Sequence, residues 1–221
     1  MADPYAGFSI CPYTGDSSDK VSRCMADLAS AIGVDEGDVF VPVQTHSAEV
    51  LVVDRLSARR PEGVDALVTA APGLVIGVST ADCVPVVMAD PVAGIVAVAH
   101  AGWRGAVAGI VEKTLLTMLG LGASIKDVRA AFGPCICAEC FEVGDEVAAL
   151  FPESSVRRRP VWERPHVDLA GYIRGELLKA GMAPGNISAP GPCTMHHPSR
   201  YFSARVAGVK SGRMFTFAYL K

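Results

Sequence analysis

Three apolar runs in this 221-residue chain each end on a side chain able to bind a metal or do nucleophilic chemistry: Val43-Gln44-Thr45-His46, Ser79-Thr80-Ala81-Asp82-Cys83 and Val96-Ala97-Val98-Ala99-His100. Strand ends are where scaffolds present function. Two imidazoles and one thiolate form a borderline-soft donor set that suits Zn2+, with copper (Cu2+) as the rival, and three protein ligands leave a fourth tetrahedral position open. The ligands stand 37 and 17 residues apart, unlike the short pairs of structural zinc modules, so spacing leaves other readings open. Cys83 is equally a nucleophile with His100 as its base, in a metal-free cysteine hydrolase, or a small buried hydrophobe. His46 and His100 also read as core histidines bonded to backbone.

Two further segments carry chemistry. His100-Ala101-Gly102-Trp103-Arg104-Gly105-Ala106 joins an apolar strand to a long helical pattern, so its amides and the helix dipole form a candidate anion site, with a plain turn as the alternative. Cys135-Ile136-Cys137-Ala138-Glu139-Cys140 contains C-x-C and C-x-x-C, which reads as a redox pair or half of a zinc site. No second ligand pair stands at matching distance, although Cys193 and His196-His197 could approach. Followed by Pro198, the two histidines read as a surface or pocket-rim turn.

The elements that must position these groups are short, because 22 glycines and 15 prolines impose many turns. Strands are expected at Val39–Val43, Glu49–Val53, Ala66–Thr69, Leu74–Ser79, Val84–Met88 and Ile95–Ala99, so the first half reads mostly as sheet. After Gly102, apolar residues from Val107 to Leu119 recur at three- and four-residue steps, which predicts an amphipathic helix. Further helices are expected from Gly144 to Phe151 and from Asp168, an N-cap, to Ala180. Strands at Val128–Phe132, near Ile187 and at Met214–Tyr219 complete the sheets. Several strands precede the first long helix, so the fold class is α+β, with mixed sheets inside and helices outside, in a single domain over residues 1–221.

Composition sets the outer bounds. Half of the residues are hydrophobic, 19% are charged, and the net charge is −3, which excludes a disordered or charge-rich rod and offers no basic face for nucleic acid. Arg157-Arg158-Arg159 is a solvated loop on this reading. The uncharged stretch from Ala66 to Ala81 is broken by Pro72, Gly73 and Gly77, so no membrane span is expected. Seven cysteines and no basic-then-apolar leader point to reduced thiols and a cytoplasmic location.

In combination, Gln44-Thr45-His46, Thr80-Ala81-Asp82-Cys83-Val84-Pro85, Ala99-His100-Ala101-Gly102-Trp103-Arg104-Gly105, Gly133-Pro134 with Phe141-Glu142-Val143-Gly144, and Phe202-Ser203, Arg205 and Ser211-Gly212-Arg213 resemble the laccase-domain family. The likeness runs from about Tyr5 to Leu220. Members of that family are described as polyphenol oxidoreductases and as zinc-dependent purine nucleoside phosphorylases that also deaminate adenosine. The resemblance implies layered sheets and helices, a metal held by His46, Cys83 and His100, and adenosine, inosine, guanosine or methylthioadenosine with phosphate as substrates. On that implied chemistry, Arg104 and Arg205 are candidates for neutralising phosphate. Asp82 and Glu142 are candidates for proton transfer or for orienting a ligand. In the family a cysteine-rich loop at 135–140 lines the pocket.

The chain departs from the family pattern at Ser9, commonly Asn, and at Val206, commonly basic. An Arg-x-Gly-Gly segment usual before the part matching Pro4–Phe8 is not in this sequence, so weaker anion binding is expected. Copper-dependent oxidation of phenols is the rival activity, and a metal-stabilised interaction domain without turnover is the non-enzyme reading.

Overall fold

Helix α1 (Ser18–Ile32) turns Val21, Cys24, Met25 and Leu28 inward at three- and four-residue spacing, and Gly33 ends it in the left-handed region at φ 75°. This helix adds to the expected elements of the first half, alongside the six strands that follow. Its inward stripe mixes Val21, Leu28 and Ile32 with Cys24, Met25 and Ala29, a weaker apolar signal than the β-branched runs of those strands. The computed structural model describes residues 3–221.

The strands follow as β1 (Val39–Phe40), β2 (Val50–Val52), β3 (Ala66–Thr69), β4 (Val75–Thr80), β5 (Val84–Asp90) and β6 (Ile95–Ala101). Then come α2 (Trp103–Val107), α3 (Ile110–Gly120), β7 (Arg129–Phe132), α4 (Asp145–Ala148), β8 (Val156–Arg157), β9 (His166–Val167), α5 (Leu169–Lys179), α6 (Ala204–Ala207) and β10 (Met214–Tyr219). The expected strand near Ile187 is an isolated bridge to Ala130. The long helix expected after Gly102 is split, because Gly109 adopts φ 81° between α2 and α3. Asp168 caps α5 as expected, its carboxylate accepting from the Gly171 amide at 2.9 Å.

Two mixed sheets stack between helices. One has the order β1-β4-β10 and the other β2-β3-β6-β5-β7. Along β6, Ile95, Ala97, Ala99 and Ala101 face α3 and α5, while Val96 and Val98 face the other sheet with Phe40, Leu67, Leu74 and Ile76. That two-sided burial explains why β6 reads as one continuous apolar run. Helix α1 covers the outer face of the smaller sheet through Ile10, Val39 and Val75. Each large side chain buried between the layers contributes about 1.5–3 kcal/mol, so the sheets form a rigid frame at whose edge loops can be held. Among the described residues no helix is long and apolar enough to cross a membrane.

Candidate metal centre

The chain passes from the small sheet to the large one twice at the same end, and each crossing carries a candidate ligand. The first is the loop from β1 to β2, with His46 at φ 60°, and the second is the Ala81–Cys83 link from β4 to β5, with Asp82 at φ 86°. These are the non-glycine residues with positive φ among those described. Such conformations cost on the order of 1 kcal/mol or more and persist where surrounding bonds over-determine them.

Those bonds are visible. Gln44 grips the end of β4, its side chain accepting from the Ser79 amide at 2.8 Å and donating to the Ser79 carbonyl at 2.9 Å. Asp65, fully buried at the start of β3, takes the amides of Thr45, His46 and Ser47 at 3.1, 3.0 and 2.7 Å. Asp82 is held by the Thr194 hydroxyl at 2.6 Å and the Arg205 amide at 2.8 Å, one on each oxygen.

The same Asp65 accepts from His100 Nδ1 at 2.7 Å. With Nδ1 committed, Nε2 is the free ring nitrogen of His100, which is how a carboxylate fixes the tautomer of a metal-binding histidine. Sequence reasoning missed Asp65. Its one signal is a carboxylate at the entry of an apolar strand, where a turn residue looks the same.

His46, Cys83 and His100 each offer a ligand atom, all within 4.8 Å of one another. Cys83 Sγ lies 3.8 Å from His46 Nε2, and the two imidazoles meet edge to face at 4.8 Å. Burial would raise the Cys83 thiol, but the charge and hydrogen bonds of His100 and His46 bring it down to about 6. Burial would lower His100, but the Cys83 thiolate and Asp65 lift it to about 9. Burial would likewise raise Asp65, yet bonds from His100 and Ser47 hold it down to about 2. Thiolate and imidazole thus stabilise each other's charge, the environment a cationic ligand also exploits. His100 is buried, Cys83 half-buried and His46 exposed, so the donors fit a metal with one side open to a reactant.

Space at the centre is set by Gly102, where a Cβ would sit 2.7 Å from the His46 ring and 3.2 Å from Cys83 Sγ. Gly102→Ala is therefore expected to push His46 aside and weaken metal binding about tenfold or more with the fold retained, read by zinc competition titration. Gly175→Ala, which meets nothing within 4 Å, should leave that affinity unchanged.

A cleft of about 430 Å³ opens beside the three ligands, lined by Asp82, Trp103, Arg104, Phe141, Arg205 and Arg213 among others. That volume suits a small organic ligand. Arg104 lies over the Trp103 ring at 4.1 Å, and Arg205 donates to the Glu142 carbonyl at 2.8 Å. Arg213, given no role by sequence reasoning, is tied to the carbonyls of Val209, Ser211 and Gly212. Glu142 is not among the lining residues and meets the site through its carbonyl. Because α2 spans only Trp103–Val107, the dipole expected from a long helix at Gly102 is not available, and the cationic character of the cleft rests on its arginines. The 135–140 loop contributes Ile136 to the lining, with its thiols elsewhere.

The whole chain is similar to known proteins. The chain is 44% identical over 231 aligned positions to adenosine deaminase RL5 of an unknown prokaryotic organism, covering 98% of this chain and 88% of that one. It is 40% identical to a purine nucleoside phosphorylase of Bacteroides thetaiotaomicron, covering 96% and 84%. The crystal structure of the hypothetical protein YfiH of Bacillus licheniformis superposes with a TM-score of 0.92 at 29% identity, over 99% of this chain and 87% of that one. The family model described as multi-copper polyphenol oxidoreductase laccase matches residues 1–221. With the fold and the full length both matched, this chain belongs to the multi-copper polyphenol oxidoreductase laccase family.

Proposed function

We propose that this chain is a zinc enzyme that cleaves purine nucleosides with phosphate and deaminates adenosine in the same cleft. The observation that carries the reading is a half-open centre of His46, Cys83 and His100 beside a cleft lined by three arginines, in a chain whose relatives are named for those two reactions. Zinc held there supplies Lewis acidity without redox change.

The chain's own residues account for the rest. Arg104, Arg205 and Arg213 neutralise and orient the phosphate, whose oxygen attacks the anomeric carbon as the C–N bond breaks and its electron pair passes to the purine. Trp103 and Phe141 supply the apolar walls against which a base or ribose packs. Asp82, with both oxygens engaged, is a positioning residue that holds the turn presenting Cys83. Glu142 fixes Arg205 through its carbonyl. In deamination, the oxygen of water bonds to C6 of adenine, the C6–amino bond breaks with release of ammonia, and phosphate takes no part.

Chromatography of adenosine incubated with and without phosphate tests this reading. Inosine should form in both samples, and free base only with phosphate. Base release that ignores phosphate would overturn phosphorolysis. Arg104→Ala should raise the KM for phosphate roughly tenfold, the loss of one charge-assisted contact, with zinc content and phosphate-free deamination retained. An unchanged phosphate KM would remove Arg104 from the anion site.

The family's name favours a second reading, copper oxidation of phenols, and two histidines with one cysteine also form the donor set of electron-transfer copper sites that add a long axial methionine. Among the described residues no methionine lines the cleft, and the other three histidines, His166, His196 and His197, lie outside it. Several coppers, as four-electron reduction of oxygen requires, have too few ligands here.

A further inference from the structure

Linked to Asp82 through the Thr194 hydroxyl and the Ile136 amide is a second cluster, in which Cys137, Cys140, Cys193 and His196 place their ligand atoms within 4.8 Å of one another. The approach of Cys193 and His196 to Cys137-x-x-Cys140, left open by the sequence, is present in the structure. The partner is Cys193-x-x-His196, more than fifty residues along the chain.

Backbone pairing brings them together. Cys135 and Cys193 form a parallel bridge, with the Cys135 amide donating to the Pro192 carbonyl at 3.2 Å and the Thr194 amide donating to the Cys135 carbonyl at 3.0 Å. Gly191 permits the approach, since a Cβ there would stand 2.3 Å from the Gly133 carbonyl oxygen. Past the bridge each segment makes a tight turn, so the two pairs of donors face each other. The Cys140 amide donates back to the Cys137 carbonyl at 3.0 Å, and the Cys137 amide points at Cys193 Sγ at 3.4 Å. Cys140 Sγ lies 3.2 Å from His196 Nε2.

We propose that Cys137, Cys140, Cys193 and His196 form a closed structural zinc site, separate from the centre in the cleft. Three thiolates and one imidazole are a soft, four-ligand set that leaves no position for a reactant, and both pairs have the two-residue spacer of structural zinc modules. Tetrahedral zinc with bonds of ~2.3 Å separates its sulfurs by about 3.8 Å, a spacing within that of the cluster. The site has a structural task to perform. Between residues 195 and 210 only Ser203 is buried, so the segment that carries Arg205 to the cleft has almost no core of its own. Zinc at His196 anchors its start, and Thr194, between two ligands, holds Asp82. The metal thereby fixes one wall of the cleft without touching a reactant.

Metal analysis of the purified protein, with mass spectrometry of its thiols, tests the site. Wild type should carry two zincs per chain and Cys83→Ala one. In Cys83→Ala, iodoacetamide should leave Cys137, Cys140 and Cys193 unmodified until a strong chelator is added, whereas half-buried Cys24 reacts at once. Cys193→Ser should lose the other zinc and keep the one in the cleft, and His196→Ala serves if that variant does not fold. A Cys83→Ala protein that is folded but zinc-free would overturn the proposal. So would intact protein lighter by a pair of hydrogens, reporting a disulfide among these cysteines.

Discussion

Cys83→Ala is expected to empty the cleft of its metal and to lower turnover of purine nucleosides by about 10³-fold or more, while the protein stays folded. Lewis-acid stabilisation is worth several kcal/mol, and each ~1.4 kcal/mol is tenfold in rate. The fold should survive because Cys83 lies on the link between β4 and β5, outside the buried clusters that hold the layers together. Circular dichroism and zinc content of the same sample check both halves. Two zincs retained in this variant, or unimpaired turnover, would contradict the assignment of Cys83.

The second large effect is expected at a residue that touches no reactant. Asp65→Asn keeps the side chain's shape, but every contact of the carboxylate is a donor: His100 Nδ1 and the His46 amide on one oxygen, the Thr45 and Ser47 amides and the Ser47 hydroxyl on the other. Whichever way the amide turns, its NH2 meets donors. Breaking a buried charge pair in this way costs roughly 3–5 kcal/mol, and losing the bond that orients a ligand histidine lowers metal affinity roughly 10- to 100-fold. Urea unfolding and zinc competition measure the two separately. Lost stability with unchanged zinc affinity would make Asp65 a loop anchor and nothing more.

What was legible in the sequence follows from how local each signal is. His46, Cys83 and His100 stand out because each ends a run of apolar residues, and the fold uses the first two ends as crossings between sheets and keeps the third within the last residues of β6. The strands of the large sheet are legible for the same reason, since β3 and β6 are buried on both faces and read as unbroken apolar runs. Helix α1 was missed because its core face interrupts Val21, Leu28 and Ile32 with Cys24, Met25 and Ala29. Asp65 was missed because its five partners come from two other segments, joined only by tertiary structure. The Cys137-x-x-Cys140 pair is visible, as are Cys193 and His196 as residues that could approach it, but the approach itself depends on a bridge between residues 135 and 193 that no local pattern announces. The split between α2 and α3 turns on one left-handed glycine, Gly109, inside a pattern whose period continues past it.

A centre in the cleft that performs group transfer and hydrolysis is told from a redox centre by loading the same apoprotein with zinc or with copper. Each form is given inosine with and without phosphate, and separately a phenol under an oxygen electrode. The account predicts phosphate-dependent release of hypoxanthine by the zinc form and no oxygen uptake by either. Oxygen uptake with the phenol by the copper form, together with an inert zinc form, would contradict it.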